Sequence, residues 1–332
     1  MPEPAAAWRE GLVSVIIPVF NRPRQLGTAV QSALAQSGAD VEVLIVDDGS
    51  TDSTPAAAVG LAAGDPDRLR VLRIPNAGPG AAREAGRQMA RGEFLQYLDS
   101  DDVLLPGKFE RQVAALRANP GAVASYGPVE VTDRAGGRWM RSDRPIDRMF
   151  PQFLLGSWWP IQSPLYRRAL VEPAGGWLAL RIHEDWEYDC RVAALGHPLV
   201  FEPAAVAACP AHEGARLSQA RRLERGALRD RATAVAAIAG HALGAGVLPG
   251  IPEMRHFGRR MFLIARECAA LGERELAQVL YRSAPAVAGE ARVLGRFYPL
   301  FGRAAGVLGW RVAGRLALAA ERLRPNRNTD TP

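Results

Sequence analysis

The chain has 332 residues, 48% of them hydrophobic and 23% charged. That is enough apolar material for one or two domains with buried cores, and it excludes a disordered chain, a collagen-like fibre or a coiled coil. The net charge of +6 is unevenly spread: from Arg221 onward 19 arginines and 9 acids give +10, while residues 1–220 carry −4, so a mildly acidic body precedes a basic tail.

Cys190, Cys209 and Cys268 are scattered and form no CxxC pair, which argues against a disulfide framework or a cysteine-based zinc module and for a reducing compartment. With Lys108 the one lysine, the arginines read as a compositional habit rather than as individual phosphate forks. The opening residues Met-Pro-Glu-Pro-Ala-Ala-Ala-Trp-Arg-Glu do not resemble a secretory leader. The most apolar long stretch, 232–249, is rich in Ala and Gly, holds His241 and ends at Pro249; it predicts a packed helix rather than a membrane span. A cytoplasmic protein is expected.

Val13–Phe20 is a nearly continuous run of β-branched and apolar residues and predicts a strand buried on both faces. Leu26, Val30 and Leu34 form a helical stripe within 24–36, and Val41–Val46 is a second buried strand that ends in Asp47-Asp48-Gly49-Ser50. A helix start follows at Thr51–Pro55, then a strand over 69–74, a helix over 80–91 and a strand over 93–98 that runs into Asp99-Ser100-Asp101-Asp102. Strands alternating with helices imply βαβ crossovers and a mainly parallel sheet, with ligands bound beyond the carboxyl ends of the strands. Two of those ends carry carboxylate clusters. After about residue 220 the texture becomes Ala/Arg/Leu-rich, so a domain over 1–219 and a helical, basic region over 220–332 are expected.

Asp99 and Asp101 directly follow a strand, and in extended backbone residues i and i+2 point the same way. Three neighbouring carboxylates repel unless a cation or donors compensate, and hard oxygen ligands suit Mg²⁺ or Mn²⁺; a solvated Asp-rich turn is the alternative. Asp47-Asp48 can accept from a nucleobase or ribose, or cap a helix. Asn76–Arg83 is a Gly-rich turn before a helix, able to bring backbone N–H groups near a phosphate. It is not GxGxxG, and no GxxxxGK[ST] occurs, which disfavours dinucleotide and P-loop chemistry. His183-Glu184-Asp185-Trp186-Glu187 lacks the second histidine of a zincin helix. It leaves acids beside aromatic walls, either a general-base site or a helix N-terminus with suitable charge.

Five segments, Val13–Asn21, Val46–Asp52, Asn76–Glu84, Tyr97–Pro106 and Glu184–Arg191, occur in an order and spacing that resembles family 2 glycosyltransferases with the GT-A fold, over about residues 12 to 218. The resemblance implies a Rossmann-like α/β domain, here with an α-helical C-terminal extension, and an inverting, metal-dependent transfer from a nucleotide sugar, by default a UDP-sugar, to a hydroxyl of a glycan or lipid-linked acceptor in cell-surface polysaccharide synthesis. It implies that Pro18 and Phe20 border the base, that Asp48 accepts from it with Asp47 alongside, and that Arg83 lies near the diphosphate. Asp99 would face the ribose and Ser100 would belong to the donor-nucleotide site, Asp101 with Asp99 and His212 would hold Mg²⁺ or Mn²⁺, and Asp185 would be the general base. Arg216 and Ser218 lie close to His212 in the sequence. Trp177, Glu184 and Trp186 would line the acceptor side, with Trp158-Trp159 further stacking faces. Pro210-Ala211 stands where family members often have an arginine before the histidine.

Two other functions compete: a catalytically silent module of the same fold that binds nucleotide sugar or glycan, and nucleotidyl transfer to a sugar phosphate. The latter would want a Gly-rich basic loop after the first strand, which Asn21-Arg22-Pro23-Arg24 does not resemble. In the tail, Arg303, Arg311, Arg315 and Arg322 fall near one helical face and Leu308, Val312 and Leu316 on another, predicting an amphipathic basic helix over 303–324 that lies on an anionic membrane or packs on the catalytic domain. A nucleic-acid partner is not expected, because the body is acidic.

Overall fold

The structure is a computed structural model in which residues 8–211 and 224–322 are described. They form two compact units, one of residues 8–149 and 157–211, the other of 150–156 and 224–322.

The first unit begins with β1 (Arg9–Val19), α1 (Pro23–Leu34), β2 (Asp40–Asp47), α2 (Thr54–Gly64), β3 (Leu69–Arg73), α3 (Pro79–Met89) and β4 (Gly92–Tyr97). β5 (Val103–Leu104), α4 (Lys108–Ala118), β6 (Ala124–Tyr126), β7 (Val129–Thr132) and β8 (Arg138–Arg141) follow. The unit ends with β9 (Leu165–Arg167), α5 (Arg168–Val171), α6 (Glu184–Ala193), β10 (Leu199–Phe201) and β11 (Ala207–Cys209). β1 lies inside the sheet because its Val/Ile run can be buried on both faces; Val13, Val15, Ile16 and Ile17 are inaccessible to solvent. The strand order is β10-β6-β9-β4-β1-β2-β3. β4, β1, β2 and β3 run parallel, so their carboxyl ends share one edge. β9 is antiparallel to both β4 and β6. A second sheet, ordered β5-β11-β7-β8, begins directly after Asp102.

The other unit is helical: α7 (Arg225–Gly244), α8 (Pro252–Leu271), α9 (Arg274–Ala288), α10 (Phe297–Leu308) and α11 (Trp310–Arg322). The apolar stretch 232–249 supplies much of α7, which buries Ala232, Val235, Ile238 and Ala242. No helix among the described residues is long and apolar enough to cross a membrane. Phe262 and Phe301 meet the stacked pair Tyr281 and Tyr298, whose rings lie 4.3 Å apart and whose hydroxyls each donate to the other's carbonyl. The single basic helix expected over 303–324 is corrected here. Gly309, at φ 81°, breaks it into α10 and α11, because the left-handed region ends a helix and glycine enters it without a Cβ clash.

Candidate active site

The shared strand edge brings together four short segments. After β1 come Phe20, 44% exposed, and Arg22, while Pro18 is buried within the strand. At the end of β2, Asp47 is fully buried; its carboxylate accepts from Ser50 N at 2.9 Å and pairs with Arg73 at 3.3 Å. Asp48 accepts from the backbone N–H groups of Ala77 (2.7 Å) and Gly78 (2.9 Å), and Asn76 Nδ2 donates to the Asp48 carbonyl. Asp48 thus orders the loop that leads into α3. Gly78 takes φ 94° there, and a Cβ on Gly80 would fall 2.1 Å from the Leu178 carbonyl oxygen, so glycine lets α3 start against the segment that precedes α6.

Asp99, Ser100, Asp101 and Asp102 follow β4. They converge, but not through extended backbone as expected: Asp102 N donates to Asp99 O at 3.1 Å, so the four residues form a turn. One oxygen from each of Asp99, Asp101 and Asp102 lies within 4.8 Å of the others. Arg22 pairs with Asp101, and Arg83 donates to Asp99 at 2.7 Å. Burial raises the Asp99 carboxyl above its ordinary range; Arg83 opposes this, and the negative charges of Asp101 and Asp185 add to it. Three carboxylates within reach of one another form an all-oxygen donor set, which suits a hard divalent cation. Ser100 is buried in the same turn. His212, Arg216 and Ser218 lie outside the described residues.

Arg83, itself buried, joins this turn to α6. Its guanidinium donates to Glu184 at 2.6 Å as well as to Asp99. Burial lifts the Glu184 carboxyl to about 7, Asp185 adding to the rise and Arg83 opposing it. Asp185 is half-buried in the first turn of α6 and accepts from Trp186 N at 2.7 Å, as a carboxylate at a helix N-terminus should. The expectation that Trp177, with Trp158-Trp159, offers open ring faces to a sugar is corrected for Trp177 and Trp159, which are buried, while Trp158 is half-buried. Trp177 stacks on Tyr188 at 4.1 Å and carries the Arg83 guanidinium 5.1 Å from its ring centre. Trp186 is buried against His183, and Trp159 is buried with its Nε1 donating to Asp189 at 2.9 Å. Stacking area and hydrogen bonds of this kind hold α6 in place.

Sequence reasoning passed over Arg22, Asp189 and Tyr166. The signal for Asp189 was its spacing, one helical turn after Asp185. Tyr166 Oη donates to Asp189 at 2.5 Å, and burial pushes the carboxyl up to about 8 against its two donors. A carboxyl raised from 3.8 to about 8 favours the folded state most below pH ~4 and loses that contribution as pH rises to ~8. Stability of the first unit is expected to fall by about 2–4 kcal/mol between pH ~5 and ~8, on the order of 5–10 °C in Tm. Asp189→Asn should remove most of that slope in thermal melts; an unchanged slope would mean that Asp189 is ionised at neutral pH.

The family model described as "Glycosyl transferase family 2" matches residues 14–170. An uncharacterized glycosyltransferase of Haemophilus influenzae is 30% identical over 188 residues, which are 54% of this chain and 71% of that protein. The chain belongs to glycosyltransferase family 2. The succinoglycan biosynthesis protein ExoO of Rhizobium meliloti is 33% identical to this family member over 58% of the chain and 59% of its own length. An uncharacterized glycosyltransferase of Rickettsia bellii is 36% identical over 40% of the chain, and the match spans only 19% of that longer protein. The chain thus spans less than two thirds of the length of these two relatives. The crystal structure of S. aureus TarS 1-349 in complex with UDP-GlcNAc superimposes with a TM-score of 0.65 at 19% identity, covering 93% of this chain and 92% of that one. The chain therefore has the GT-A architecture, with the helices of 224–322 as a C-terminal extension.

Proposed function

We propose that the protein moves a glycosyl group from a nucleoside-diphosphate sugar to an acceptor hydroxyl with inversion at the anomeric carbon. The observation that carries this reading is Arg83, which ties the Asp99 turn to the helix bearing Asp185. Phe20 and the loop fixed by Asp48 would border the base, and Asp99 with Ser100 the ribose. Asp101 with Asp99 would hold Mg²⁺ or Mn²⁺, which would supply positive charge against the departing diphosphate. Asp185 would take the proton from the attacking hydroxyl, with donor and acceptor held for in-line attack. One displacement inverts the anomeric centre, and no second carboxylate nucleophile is needed. ExoO's name supports a glycan acceptor, and the UDP-GlcNAc complex of a protein with this fold makes UDP-sugars the first donors to test.

With Mn²⁺ and a UDP-sugar but no acceptor, slow release of nucleoside diphosphate is expected. Asp101→Ala should raise the Mn²⁺ concentration needed for donor binding by ~10-fold or more, read by thermal shift. Unaltered Mn²⁺ dependence would remove Asp101 from the metal site. Donor binding without any release would favour the catalytically silent module.

A further inference from the structure

The helical unit shows a concentrated apolar surface. Six large apolar side chains between residues 297 and 316, namely Phe297, Leu300, Val307, Leu308, Val312 and Leu316, are 40–84% exposed, and no other stretch of that length among the described residues exposes as many. On α10, positions 297, 300, 304, 307 and 308 fall within an arc of about 100°, while Tyr298, Phe301 and Ala305 on the neighbouring arc are buried. On α11, a Cβ at Gly314 would lie 2.3 Å from Ala270 N of α8, so one face of α11 is pressed inward and Val312 and Leu316 are left outward. Leu308 and Val312 line one cavity of about 580 Å³ together with Arg225, Arg274 and Arg311, so the two helices share a surface. A second cavity, about 690 Å³, is lined by the stacked Tyr281 and Tyr298 together with Arg292, Arg296 and Arg303.

Charge selects the occupant. Residues 291–320 contain five arginines and no acid, and Arg303, Arg311 and Arg315 make no ion pair among the described residues. A second copy docking face to face would set arginine against arginine. A nucleic-acid backbone would satisfy the arginines and leave the leucines and valines in water. An anionic lipid surface takes both: phosphates meet the guanidinium groups, and the apolar side chains enter the acyl boundary without spanning it. We propose that the outward face of α10 and α11 docks on an anionic bilayer.

Flotation of the full chain with vesicles of phosphatidylcholine containing phosphatidylglycerol should recover the protein with the lipid, and pure phosphatidylcholine should not. Added salt should weaken binding. The pairs Leu300→Ser with Val307→Asp, and Arg303→Glu with Arg315→Glu, change exposed positions; each should reduce bound protein about tenfold or more, with melting temperature and acceptor-free nucleotide release unchanged. Absence of vesicle binding, or equal binding by both variants, would overturn the proposal. So would a wild-type dimer in light scattering that Val307→Asp dissociates, because a second copy would then cover the face. Flotation, melting temperature and light scattering do not depend on the transfer reaction.

Discussion

Asp185→Asn is expected to lower sugar transfer by about 10³-fold or more while nucleoside diphosphate affinity stays within about twofold. The substitution keeps the shape and the oxygen that accepts from Trp186 N. It leaves the Arg83 bridge to Glu184 and Asp99 intact. What it removes is the capacity to take a proton, so the loss should appear in kcat rather than in donor binding. Turnover assays with a competent acceptor, paired with calorimetric titration of the nucleotide, separate the two. A variant that turned over normally would assign the base elsewhere, and one that lost nucleotide binding in parallel would give Asp185 a structural role.

Removing Arg83 is expected to have the largest effect on stability. Its guanidinium is the shared partner of two carboxyls, Asp99 and Glu184, from segments far apart in the sequence. Arg83→Met would fill the volume and leave both acids without it, at a cost of about 3–5 kcal/mol at neutral pH. Both carboxyls are already raised by burial, and Arg83 opposes the rise in each. Without it their folded-state values move further up, so the variant's deficit should be smaller at pH ~5, where they can take protons, and larger at pH ~8. Urea titrations of both proteins at the two pH values test this. A pH-independent deficit would mean that the lost packing against Trp177, rather than the lost charge, is what matters.

Much of the parallel core was legible because the β1 and β2 runs of Val and Ile are too continuous for half-exposed strands, and because Asp-rich turns end β2 and β4. The region after Asp102 was less so. β6, β9 and β10 have three residues each, too few for a periodic signal, and the antiparallel placement of β9 is decided by its neighbours rather than by its own residues. The acids of the site could be named from residue type and position, whereas their partners could not: Arg83 and Glu184 are 101 residues apart. Trp177 looked like a sugar platform, but the Tyr188 ring that stacks on it is apparent only in three dimensions. In the tail, the i+4 recurrence of Leu308, Val312 and Leu316 outweighed Gly309 in the reading, and the glycine prevailed in the fold.

The most direct measurement is a crystal structure with a nucleoside diphosphate and Mn²⁺, with the ion located by its anomalous scattering. The expected result places Mn²⁺ on Asp101, the ribose beside Asp99, and the base between Phe20 and the loop that Asp48 fixes, with Asp185 facing the diphosphate end. A nucleotide bound away from this strand edge, or Mn²⁺ on other residues, would contradict the assignment.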